Sequence, residues 1–175
     1  MSENKKSANF VQTLKKSGVI DKSVVTFSVN SNGSYVLFGD YNASLVVGGE
    51  KGLHNLGTYA YLPEYVGAQK NWALEGQSML YGEKELKSII DNTTFPAIID
   101  TGSNTLAIPN KFFEQIQKQW ESKVKLDCRS NDDFCQVNEQ CDEVAKKVQP
   151  IGFQMGGQVF EVPPSIYLNQ ASNVC

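Results

Sequence analysis

The chain has 175 residues, 41% of them hydrophobic and 20% charged, with a formal net charge of −3. That length suits a single domain with a real core. Mild acidity without a basic block gives nucleic acid or an anionic membrane nothing to hold, and no apolar run approaches membrane-spanning length.

In chain order, residues 1–7 read as a disordered end, and the opening "MSENKKSANF" lacks the apolar stretch of a signal peptide. "ANFVQTLKKSGVI" sets Phe10, Val11 and Leu14 on one short helical face, with Gly18 as a stop. In "VVTFSVN", Val25, Phe27 and Val29 alternate with Thr26 and Ser28, the two-residue period of a half-buried strand. "SNG" then turns the chain into "SYVLFGD", completing a hairpin. "TYAYLPEYV", "NWALEGQSML", "KSII" and "FPAIID" are further strand-like segments. "NKFFEQIQKQWESK" carries Phe112, Phe113, Ile116 and Trp120 at helical spacing, a core-facing stripe, with Asn110 as its expected cap. "CDEVAKKV" is a second short helix, and "IGFQMGGQVFEVPPSIYL" a hairpin turning at Gly156-Gly157. No internal repeat or low-complexity tract interrupts this pattern, so the expected fold is mainly β with small helices.

The four cysteines, Cys128, Cys135, Cys141 and Cys175, lie in the last third and form no Cys-x-x-Cys pair. His54, the one histidine, sits far away in a "GLHNLG" loop and reads as a surface residue. Disulfides therefore fit better than a zinc site, and no metal or other cofactor is expected. Asn-x-Ser/Thr sequons at Asn32, Asn42 and Asn92 add candidate glycosylation sites. Oxidising-compartment chemistry without a signal peptide leads to the expectation that the chain is part of a longer, secreted precursor.

One stretch, "AIIDTGSNTLAIP", ends an apolar run on the carboxylate of Asp100. A buried charge needs a partner, so the acid either emerges into solvent or is presented to something. Asp-Thr-Gly is short enough to arise by chance as a plain turn. Its chemistry becomes specific if two such loops meet. Glycine then lets the backbone turn beside the carboxylate, one hydroxyl can bond across to the opposing loop, and another can support the acid. Two facing aspartates that share a proton give one acid and one base, enough to drive a water onto a peptide carbonyl.

With these flanks, "AIIDTGSNTLAIP" resembles the second active-site loop of pepsin-like aspartic proteases. "VVTFSVN" with "YVLFGDYNASLVVGG" is similar to the opening of that family's C-terminal lobe, "NWALEGQSMLYGEKEL" to its Trp-containing strand and hairpin, and "VFEVPPSIYL" to its Val-Pro-Pro-Ser segment. The likeness runs from about Ala8 to Cys175. It implies a pepsin-like C-terminal lobe over 8–175 that acts on polypeptide substrates. Asp100 would be the catalytic aspartate, Thr101 the cross-loop bond, Gly102 the turn, Ser103 the support to the carboxylate, and Ile98 a neighbour of the substrate pocket. It also implies a Cys141–Cys175 disulfide around the last hairpin, which leaves Cys128 to pair with Cys135. Asn71, before Trp72, stands where the family often has an aromatic pocket residue.

Such an enzyme needs two Asp-Thr/Ser-Gly loops, and this sequence has one. The resemblance thus implies a partner, an N-terminal lobe carrying the first loop, and a later hydrophobic-hydrophobic-Gly segment under the active loop. On that reading the isolated chain is inactive, and its setting is a secretory, vacuolar or extracellular one. A retroviral-type dimer, with one loop from each copy, fits less well because about a hundred residues precede the motif. A protease-like lobe serving only as a binding or structural module is the alternative from another class.

Overall fold

The computed structural model describes residues 9–29, 33–56, 72–86, 94–103, 105–128, 135–172 and 174–175. The expected disordered end, "TYAYLPEYV", "KSII", Asn32, Asn71 and Asn92 lie outside these residues. The described chain falls into two compact units, one of residues 9–55 with Trp72, the other of residue 56 with residues 73–175.

In the first unit, α1 (Phe10–Lys16) is capped by Asn9, whose side-chain oxygen accepts from the N–H groups of Val11 and Gln12. It stops at Gly18, whose φ of 74° is the left-handed geometry that a glycine after a helix end allows. Strands β1 (Val25–Ser28) and β2 (Tyr35–Phe38) pair antiparallel with Val25 opposite Phe38 and Phe27 opposite Val36. The alternation read from the sequence is there, but the burial assigned to it is not. Phe27 is 50% exposed, and Val29 lies beyond β1 at 86% exposed. The reason is that the hairpin is a sheet of two strands, and the described ring contact on it is Phe10 edge-on to Phe38, 5.4 Å between centroids. Two short 3-10 turns, Ala43–Leu45 and Gly49–Gly52, follow.

The second unit holds the described core. Its sheet is built on β3 (Ala73–Tyr81), flanked by β8 (Ile151–Met155), which pairs in turn with β9 (Gln158–Val162). Two shorter strands, β4 (Lys84–Glu85) and β5 (Phe95–Ile98), pair with opposite ends of β3. A register shift between Gly76 and Ser78 inserts Gln77 as a bulge, and this switches the buried face from Leu74 and Gly76 to Met79 and Tyr81. The β8–β9 turn is Gly156-Gly157 with φ of 55° and 77°, the doubly left-handed turn that two-residue hairpins prefer.

Helix α2 (Asn110–Trp120) lays Phe112 and Ile116 into a core with Met79, Tyr81, Leu86 and Ile151. Its cap is not Asn110. Pro109 occupies the capping position, and Asn110 is the first helical residue with no side-chain capping bond. Strands β6 (Leu126–Asp127) and β7 (Gln136–Val137) and helices α3 (Cys141–Ala145) and α4 (Pro164–Tyr167) frame a second cluster of Val124, Val137, Val144 and Val148. Trp120 and Tyr167, stacked at 5.9 Å, join the two clusters. Tyr167 donates to the Gln149 carbonyl at 2.7 Å while the Gln149 N–H donates to the Tyr81 hydroxyl at 3.0 Å. Burial pushes both phenols above their ordinary range.

Disulfides join Cys128 to Cys135 and Cys141 to Cys175, with Cα separations of 4.3 and 4.9 Å. Among the described residues, no helix is long and apolar enough to cross a membrane.

Candidate active site

The loop carrying Asp100 begins as β5 leaves the sheet and ends where α2 begins. Its two ends are tied by one ring contact. Phe95 at the start of β5 lies against Phe112 in the first turn of α2, centroids 5.9 Å apart. Phe95 can take this position because Gly76 stands opposite it on β3, and a β-carbon at position 76 would sit 2.4 Å from the ring. Pro96, which has no N–H to give a ladder, is tolerated because β5, among the described strands, pairs with β3 alone and lies at a sheet edge.

Alternation along β5 places Phe95 and Ala97 on one face and Pro96 and Ile98 on the other. Ile98, opposite Ala73, is 49% exposed. Ile99 and Leu106, on either side of the turn, are also substantially exposed, so the acid sits among apolar side chains that face outward.

Asp100 is exposed, so within this unit the apolar run ends by emerging into solvent. Its Oδ1 accepts from the Gly102 N–H at 2.9 Å, a tight local turn. A β-carbon at position 102 would lie 3.3 Å from that oxygen, so glycine gives the close approach its room. The bond from Gly102 is the one described hydrogen bond of the carboxylate, and among the described residues none reaches Oδ2.

Thr101 and Ser103 are exposed as well. The Ser103 hydroxyl lies 3.3 Å from both the carbonyl and the hydroxyl of Thr105, and among the described hydrogen bonds none joins it to Asp100. Thr105 was not singled out from the sequence. A hydroxyl two residues after a serine in a turn is the signal that would have found it. His54 is exposed on the first unit.

What this arrangement can do by itself is limited. An exposed carboxylate with one fixed oxygen can accept a proton from a water. A second group is required to protonate a leaving amine.

The sequence model of the family described as eukaryotic aspartyl protease matches residues 1–175, the whole chain. Vacuolar protease A from Arthroderma otae is 24% identical over 177 residues, an alignment spanning 100% of this chain and 38% of that protein. Pepsin A from Bos taurus is 26% identical over 162 residues, spanning 90% of this chain and 37% of that protein. The chain thus spans well under half the length of these relatives.

Proposed function

This chain belongs to the eukaryotic aspartyl protease family, and from that membership we propose that it supplies one half of an endopeptidase active site, with Asp100 as one carboxylate of a pair. The second carboxylate comes from polypeptide beyond these residues. The observation that carries this reading is the exposed Asp100, with Oδ1 held by Gly102 and no hydrogen bond to Oδ2 among the described residues.

In the reaction, one carboxylate of the pair is ionised and removes a proton from a water lying between the two. The water oxygen bonds to the peptide carbonyl carbon, and the protonated partner carboxyl hydrogen-bonds the carbonyl oxygen as charge develops on it. Collapse breaks the carbon–nitrogen bond, and the proton taken from water goes to the departing amine. Water is added across the bond, so nothing is oxidised or reduced.

Thr101 bonds across to the opposing loop. Ser103 steadies the turn, either through Thr105 or by swinging toward the carboxylate when the second loop is present. Ile98, exposed beside the acid, lines the substrate pocket. The two disulfides support assembly in an oxidising compartment of the secretory or vacuolar route.

The test is Asp100→Asn in the complete two-loop protease. Loss of kcat by about 10²–10⁴-fold, the usual worth of a positioned acid or base, with KM little changed, is the expected result. Activity near that of the parent would remove Asp100 from the chemistry. The 175-residue chain alone is expected to be inactive. Acid-optimal, pepstatin-sensitive proteolysis by that chain, abolished by Asp100→Asn, would overturn the half-site reading.

A further inference from the structure

The sequon Asn42-Ala43-Ser44 forms the start of the first 3-10 turn, away from the protease loop in sequence and in a different unit. Asn42 has extended backbone angles, and its side-chain Oδ1 accepts from the Ser44 N–H at 3.0 Å and from the Ser44 hydroxyl at 2.7 Å. A backbone N–H can only donate, so the atom facing it must be the amide oxygen. That assignment turns Nδ2 away from the turn. Every described hydrogen bond of the Asn42 side chain uses Oδ1, and both Asn42 and Ser44 are exposed.

We propose that Asn42 is an N-glycosylation site, taking an oligosaccharide on Nδ2 while Oδ1 keeps its two bonds to Ser44. The inference rests on the secretory reading above but not on the catalytic one. The donor is a lipid-linked oligosaccharide with a diphosphate leaving group. A bond forms between Nδ2 and the anomeric carbon of the sugar, and the bond from that carbon to the diphosphate oxygen breaks. The diphosphate leaves with the electron pair, and the amide gives up one proton to the transferring enzyme.

Two features make the folded turn compatible with the product. The substituted nitrogen is not one the turn needs, so the cap on the 3-10 turn survives. Next to the attachment point, Leu45 and Val47 are 58% and 95% exposed. A bulky, hydrated glycan rooted at Asn42 lies over these apolar side chains, where it opposes self-association.

The experiment uses the full protein secreted from a eukaryotic cell. It is cleaved with an N-glycanase in heavy-oxygen water, and the peptides are sequenced by mass spectrometry. Cysteines are alkylated before and after reduction in the same preparation. Heavy-oxygen-labelled aspartate at position 42 in most molecules is expected. Ser44→Ala should abolish the label and Ser44→Thr should keep it. Ala43→Pro should also abolish it, since proline is accepted at the first position of such a turn but blocks the sequon. Unlabelled Asn42 in a protein whose cysteines are paired would overturn the site and leave the compartment standing. Unlabelled Asn42 with free cysteines would overturn both.

Discussion

A methyl group added at position 76 would lie 2.4 Å from a carbon of the Phe95 ring. No real contact is that short, so either the ring or the strand must move, and the ring is held by Phe112. Gly76→Ala is therefore expected to lower stability by about 1–3 kcal/mol, the usual cost of overpacking, read as a lower urea midpoint. Adding Phe95→Leu should recover part of the loss. A parental midpoint for Gly76→Ala would dismiss the contact between Phe95 and Gly76 as a constraint on the Asp100 loop. At this scale the sequence was unevenly informative. Asp100 announced itself because a carboxylate ending an apolar run demands an explanation. A glycine inside a strand pattern also signals a close approach. Its partner Phe95, nineteen residues on from Gly76, depends on strand register, which composition alone does not supply. The turn of the Ser103 hydroxyl toward Thr105 was equally hidden, since either neighbour satisfies a hydroxyl.

Elements were legible where a local rule has one outcome and obscure where two rules compete. Gly156-Gly157 could hardly be anything but a tight turn, and both residues adopt left-handed angles. At the start of α2, Pro109 and Asn110 both suit a helix beginning. The proline fell at the capping position and Asn110 inside the helix. This gives a clear expectation. Asn110→Ala should leave stability within about 0.5 kcal/mol of the parent, where loss of a true cap would cost about 1 kcal/mol. Chemical denaturation distinguishes the two, and a loss at the cap value would restore Asn110 to that role. The bulge at Gln77 left a trace in the sequence only as a slip in alternation, with Leu74 and Gly76 on even positions and Met79 and Tyr81 on odd ones. Short pairs such as β6 with β7 offered too few residues for any period to be read.

For the molecule as a whole, every fully buried hydrophobic residue among those described belongs to the second unit. Opening free energy follows buried apolar contact, so protection against amide hydrogen exchange should be deepest in β3 and β8 and much weaker in the β1–β2 hairpin. Equal protection in the two units, measured by exchange mass spectrometry, would refute this. The mainly β class was visible because alternation and turns recur along the chain. The exposure of Phe27 and Val29 was not, because alternation tells which residues share a face and is silent on whether anything covers it.

The Cys141–Cys175 disulfide closes a covalent ring around β8, β9 and α4. The exposed Gly156-Gly157 tip lies inside that ring. A single cut there does not divide the molecule in two. The fragments stay linked through sulfur, migrate as one band without reductant and part only when the bridge is reduced. A protein exposed to peptidases would thus carry a nick at this exposed turn without shedding β9, the strand at the edge of its five-stranded sheet.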